Sequence, residues 1–274
     1  RDVCYAGLHI ESSVVNSGLL TANVMRRKVY MGKRIIEKIG ELTLEQVFLS
    51  VEDHIGIMTL HNPPVNAASG TVQEEILMIC DYINHDDDIW VCIMHSDIKT
   101  FCVGVDIKRF KKSIDDKDVT NVQEVYYDGA LALYELRVPL ICAVHGHCLG
   151  GGLCYPAGAD ISIAVKGTVF GSPEAKLSVV GGCGHLARIL PPQLQRDMCY
   201  CGTFIKAEDL IKYGGVTQVV DTLEELMPAA MDKAREICKR GPLVLRYLKA
   251  CMNAQEDFQM KRKNDLEVTY TRYM

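Results

Sequence analysis

The segment HGHCLGGGLCYPAGAD, residues 145–160, constrains this chain more than any other. It follows Pro139–Val144, an uninterrupted apolar run that reads as a strand buried on both faces. Three consecutive glycines then lead into a helix. Glycine permits a tight turn and lets a ligand come close to the main chain. The first N–H groups of a helix lack intrahelical partners and stand at the positive end of its dipole. Strand, Gly150-Gly151-Gly152 and helix together make a cradle for an anion or a developing oxyanion. Taken alone, the triple glycine fits a close-packed turn without a ligand equally well.

Two further segments favour the cradle. FCVGVDIKRF, residues 101–110, follows a second apolar run, Trp90 to Met94, and places Asp106 two residues after Gly104. VFGSPEAKLSVVGG, residues 169–182, sets Glu174 between a strand-like start and a glycine turn. In these three segments the chain resembles the crotonase family, the enoyl-CoA hydratase/isomerases. The family's F-x-x-G-x-D, G-x-x-L-G-G-G and F-G-x-P-E signatures occur here in order, within a resemblance that runs from about residue 47 to about residue 260.

The resemblance implies an α/β fold: a crotonase-like spiral of ββα turns followed by a helical region that builds trimers, often paired into hexamers. The expected division is an N-terminal extension over 1–46, a spiral core with an acyl-CoA site over 47–192, and a helical oligomerisation region over 193–274. It also implies an acyl-CoA thioester held by the N–H groups of Val105 and Gly151, with Gly104 and Gly150 against it. Two fixed donors stabilise the enolate that forms when the α-proton leaves, and losing one such donor costs about 2.7–4 kcal/mol. The side chain of Val105 reads on its own as a core valine.

Glu174 is the carboxylate expected to carry the proton. A glutamate between buried strand and glycine turn is partly desolvated, which raises its pKa towards neutrality. A hydratase of this family has a second glutamate two residues past the last glycine. Here that position is Cys154. A thiol with an ordinary pKa near 8.5 is a poor base for water, so Cys154 reads as a small residue lining the pocket. The chain therefore resembles a one-carboxylate crotonase, either a Δ3,Δ2-enoyl-CoA isomerase or a dehydratase that acts with one glutamate. His185, eleven residues after Glu174, is a further candidate for substrate contact. His145 and His147 read more readily as packing or capping residues. Gly182 occupies the place where some dienoyl isomerases carry an aspartate. Lys108 is placed to meet a CoA phosphate or ribose, or else is a surface lysine, and Asp106 is read as structural. The basic helical tail that covers CoA in the family is not recognisable after Tyr270.

Composition narrows the alternatives. With 274 residues, 48% of them hydrophobic, the chain can bury a full core. A net charge of −5 argues against a general nucleic-acid binder. No uncharged apolar run reaches the length of a membrane span. Twelve cysteines without a CxxC pair, mostly in apolar contexts, fit buried thiols in a reducing cytoplasm better than disulfides or zinc. No metal and no separate cofactor are expected, since coenzyme A enters as part of the substrate. The partner is an acyl-CoA or a carrier-protein-bound enoyl thioester. Residues 12–36 hold no acid and a cluster of Arg26, Arg27, Lys28, Lys33 and Arg34, a pattern shared by transit peptides and plain extensions. Two other readings stay open: a thioester hydrolase or C–C bond enzyme on the same fold, and a non-catalytic acyl-CoA- or RNA-binding relative.

Overall fold

Alternating apolar strands and helices of amphipathic spacing assemble into two sheets set within helical layers. The computed structural model describes residues 27–30, 32–106, 119–177, 179–256 and 260–272. Strands β1 (Arg27–Tyr30), β2 (Lys33–Ile36), β5 (Val47–Glu52), β6 (Ile55–Leu60), β7 (Val91–Ser96), β8 (Leu140–Val144), β10 (Ile161–Val165) and β13 (Gln218–Val220) form one eight-stranded sheet in that order. From β6 onward its pairings are parallel. A small sheet runs β12 (Phe204–Lys206), β11 (Val169–Gly171), β9 (His147–Leu149). The two-stranded ribbon β3 (Lys38–Ile39) and β4 (Leu42–Thr43) stands apart. The expected boundary at residue 47 falls inside the large sheet, because β2 pairs antiparallel with β5.

Side-chain alternation divides the core in two. Cys92 and Met94 of β7 face an inner cluster with Leu140, Cys142 and Val144. Val91 and Ile93 face an outer cluster with Ile141, Ala143 and Ile163. A period of two sends neighbours to opposite faces, and helices cover both, so β7 and β8 carry continuous apolar sequence. Helix α1 (Gly70–His85) begins at Ser69, whose hydroxyl accepts from Val72 N–H at 3.1 Å. It buries Val72, Ile76, Ile79 and Ile83 inward. Its buried Glu75 carboxylate accepts the N–H groups of Glu45, Gln46 and Val47 at 2.6–2.9 Å, which pins the helix to the start of β5. Helix α2 (Val119–Tyr134) packs beside α1.

After the core turns come α3 (Cys154–Gly158), α4 (Cys183–Ile189), α5 (Pro192–Cys201) and α6 (Ala207–Leu210). Helix α7 (Leu223–Cys238) closes the outer face of the sheet with Leu226, Ala230, Met231 and Ala234. Helix α8 (Pro242–Gln255) is tied to the core by buried Lys249, which reaches Asp160 at 2.8 Å and the Val138 carbonyl at 3.1 Å. Helix α9 (Met260–Arg272) is present and packs against α2 and α4. Its charged, weakly apolar sequence hides a short buried stripe of Asn264, Glu267 and Val268.

Candidate active site

The small sheet brings the three sequence motifs into one row. Cys102 bridges Cys148, and Cys148 pairs with Phe170, all in parallel register. Thr100 ties the first two segments further: its hydroxyl donates to the His147 carbonyl and accepts from His147 N–H, both at 3.0 Å. The N–H groups of Phe101 and Cys102 donate to His145 and His147, and that of Leu149 returns to Cys102. Buried Asn66 braces the outer side through Ser96 at 2.8 Å and the Phe101 carbonyl at 2.9 Å. Sheet pairing thus aligns the residues that follow each strand.

Gly104 and the glycine loop are in contact. Gly104 has φ +96°, and a Cβ there would stand 3.1 Å from the Gly151 nitrogen and 3.0 Å from the Leu149 carbonyl oxygen. Only glycine permits both that conformation and that approach. Val105 bridges Ala68 in parallel register, with Ala68 N–H bonded to Gly104 and Asp106 N–H to Ala68. In such a bridge the N–H of the residue between these two bonds points away from the partner strand, so Val105 N–H is turned from Ala68. Gly150–Leu153 form a single 3₁₀ turn, in which the N–H of Gly151 precedes the first intrahelical bond. A Cβ on Gly151 would lie 2.6 Å from the Tyr126 hydroxyl, and that hydroxyl donates to the Gly151 carbonyl. Tyr126 therefore buttresses the loop from α2.

Glu174 opens a 3₁₀ turn just beyond β11. Its Oε2 accepts from the Ser172 hydroxyl at 2.6 Å, and its Oε1 faces Gly150, 3.0 Å from where a Cβ would be. Burial raises the pKa of this carboxyl above the usual range; the Ser172 bond pulls it back, and the nearby charge of Glu267 adds to the rise. Burial thus favours the protonated form of this carboxyl, beside the glycine loop.

Cys154 heads α3, is fully buried and has its thiol pushed well up by burial. The thiol hydrogen-bonds Tyr126, and a Cβ on Gly182 would lie 3.9 Å from its sulfur. It is a buried, protonated thiol. His185 sits elsewhere than expected of a substrate contact. It is fully buried and stacks on Tyr127 with ring planes 5° apart and centroids at 6.1 Å. Neither ring nitrogen has a hydrogen-bond partner among the described residues. Burial first, then Arg188 and Lys263, lower its pKa to about 3, so the ring is neutral. His145 bonds the Ile98 carbonyl at 2.7 Å. Lys108 lies outside the described residues.

Four residues of the site escaped the sequence. Ser172 occupies the variable place of F-G-x-P-E, and that spacing alone was a usable signal. Tyr126 and Tyr127 look like ordinary core aromatics of a helix. Glu267 comes from α9, where nothing local announces it. Among the described residues, no group of three or more His, Cys, Asp or Glu converges as a metal site, and no helix is long and apolar enough to cross a membrane.

The fold matches solved structures of the crotonase type. An enoyl-CoA hydratase/isomerase from Xanthobacter autotrophicus Py2 superposes with TM-score 0.78, over 84% of this chain and 87% of that one, at 22% identity. The enoyl-CoA hydratase from Mycobacterium tuberculosis H37Rv gives TM-score 0.71, over 84% and 98%, at 24% identity. The enoyl-CoA hydratase/isomerase family model matches residues 50–274, and the chain belongs to that family. Among its relatives is "(7aS)-7a-methyl-1,5-dioxo-2,3,5,6,7,7a-hexahydro-1H-indene-carboxyl-CoA hydrolase" of Rhodococcus jostii (strain RHA1), 30% identical over 80% of this chain and 84% of that protein. Mevalonyl-coenzyme A hydratase of Aspergillus fumigatus is 30% identical over 69% and 71%. The chain is thus similar to enzymes named as hydratases and as a CoA hydrolase.

Proposed function

We propose that this enzyme moves a proton at the α-carbon of an acyl-CoA thioester, with Glu174 as its single acid–base group and the N–H groups of Val105 and Gly151 as oxyanion donors. The observation that carries this reading is the Glu174 carboxyl, able to hold a proton and set against Gly150 of the donor loop. The thioester oxygen enters between the two N–H groups, Glu174 removes the α-proton, and negative charge collects on the oxygen they face. Returning the proton to the γ-carbon completes an isomerisation. Delivering it with addition or loss of water makes the enzyme a hydratase or dehydratase. The protonated Cys154 leaves no second base at the usual place, which favours the one-carboxylate reactions. Coenzyme A arrives with the substrate, and no separate cofactor takes part.

A hydrolase acting on a thioester or a C–C bond is the second reading, favoured by the CoA hydrolase relative that aligns with 80% of this chain. One experiment separates them: mass spectrometry of products from a panel of 2-enoyl-CoA and 3-enoyl-CoA esters. Isomerisation leaves mass unchanged, hydration adds a water, and hydrolysis of the thioester releases free CoA. Loss of solvent-deuterium uptake in Glu174→Gln supports the assignment, and uptake at the native rate refutes it.

The same reading makes the protein a cytoplasmic homotrimer or homohexamer built through residues 193–274. One face of α8 exposes Leu243, Val244, Tyr247, Leu248 and Met252, each more than half exposed. Such a contiguous apolar face is a surface for association. Light scattering that shows a stable monomer at micromolar concentration overturns it.

A further inference from the structure

Glu267 is a buried carboxylate that the proton transfer does not use. It sits on α9, 5% exposed, more than ninety residues from Glu174 in sequence. Its Oε1 accepts Gly184 N–H at 2.7 Å, and the N–H groups of Gly182 and Cys183 also point to it. Its Oε2 accepts the Tyr127 hydroxyl, which in turn receives Gly182 N–H at 3.4 Å. With its lone pairs so occupied, it is not free to act as a base. What it holds is the turn that walls the site. A Cβ on Gly181 would lie 3.8 Å from Cγ of Glu174 and 3.6 Å from the Tyr127 hydroxyl, and one on Gly182 would be 3.9 Å from the Cys154 sulfur. The turn 181–184 is therefore clamped between Glu174 and Cys154 on one side and Glu267 on the other.

We infer that Glu267 is a positioning residue of the active site, through which α9 fixes the 181–184 turn and Tyr127 against Glu174. The inference rests on Glu174 as the proton carrier. The C-terminal helix is then part of the machinery. The titratable groups facing this pair are Tyr127 from α2, Cys154 from α3, Cys183 from α4, Cys199 from α5 and Lys263 from α9 itself. The thiols of Cys154 and Cys183 are pushed up. The thiol of Cys199 is pulled down by its bond to Cys183. The test therefore carries a Cys199→Ser background.

The Glu174 titration is read by ¹³C NMR of protein labelled at the glutamate δ-carbons, its signal assigned by its absence in Glu174→Gln. In Glu267→Gln the Glu174 midpoint is expected to fall as the neighbouring carboxyl goes. With the enoyl-CoA that the product panel identifies as substrate, kcat falls by up to roughly a hundredfold, the loss that a misplacement of about 1 Å can cause, while KM changes less. Tyr127→Phe keeps the charge and should leave the midpoint where it is. Glu267→Asp keeps the charge but withdraws it from the turn; there the midpoint holds and kcat drops. A folded Glu267→Gln with native midpoint and native kcat overturns the inference. Should that variant fail to fold, native kcat in Glu267→Asp does the same. The NMR titration needs no turnover, so a native protein inactive on the whole panel sinks the proposed reaction without deciding the role of Glu267.

Discussion

Oε1 of Glu174 stands 3.0 Å from the point that a Cβ on Gly150 would occupy. The carboxyl and the glycine loop are therefore adjusted to each other by the absence of one methyl group. Gly150 also has φ +55°, which costs an L-residue roughly 1–2 kcal/mol. Gly150→Ala should displace the carboxyl and lower kcat roughly tenfold or more, as expected for a misplaced catalytic group. Solvent-deuterium exchange at the substrate α-carbon measures it. A folded variant that exchanges at the native rate places the working carboxyl elsewhere.

Tyr126 presents a second, milder test of the same loop. Tyr126→Phe removes the hydroxyl that donates to the Gly151 carbonyl. Stability should fall by about 0.5–1.5 kcal/mol, the net worth of one hydrogen bond, and turnover should fall a few-fold because the donor loop loosens. Urea melts with parallel kinetics on one preparation give both numbers. Unchanged turnover with lowered stability shows that the loop keeps its geometry without the buttress.

Burying Glu174 has a cost that depends on pH. Its folded pKa is raised by desolvation, against about 4.3 for the unfolded chain. The protonated folded form is favoured, so the relative stability is complete below the unfolded value and is lost as pH rises through the folded one. Glu174→Gln should match the native protein near pH 4 and become the more stable of the two towards pH 8. Denaturant midpoints across that range test the sign. A Gln variant that is less stable at pH 8 contradicts it.

His185 carries the opposite dependence. Its pKa is lowered to about 3 in the folded protein, against about 6.5 unfolded. The stability it lends is present above the unfolded value and is lost as pH falls towards the folded one. His185→Phe keeps the stack on Tyr127 and gives up no hydrogen bond, since both ring nitrogens lack partners among the described residues. The variant should melt near the native temperature at pH 7.5 and above it at pH 5. An equal shift at both values rules out titration as the cause.

Cys154 is predicted to be chemically quiet. Its thiol is fully buried and protonated at neutral pH, and the reactive species of a cysteine is the thiolate. Cys154→Ala should retain turnover within a few-fold, and iodoacetamide should leave Cys154 unmodified in the folded enzyme while labelling exposed Cys201 and Cys251. A loss of activity far beyond the loss of stability in Cys154→Ala gives the thiol a direct part in the reaction.

Much of this molecule was legible along the chain, because local chemistry decides it. The strands at 47–52, 55–60, 91–96 and 140–144 follow from apolar runs, and α1 from Ser69 and its helical spacing. Both glycine loops and Glu174 were legible as candidates because glycine conformation and motif order are properties of short segments. The tertiary structure decided what those segments do together. Three residues on from Cys102 is Val105, three on from Cys148 is Gly151, and four on from Phe170 is Glu174. Only the parallel register of Cys102, Cys148 and Phe170 brings those offsets together. Residues remote in sequence stayed silent for the same reason. Tyr126 reads as a core aromatic until a glycine loop is laid against it, and Glu267 reads as a surface glutamate of a charged helix. Its burial depends on α9 docking against α2 and α4, and no periodicity within thirteen residues of helix encodes which distant turn will offer three N–H groups to its carboxylate.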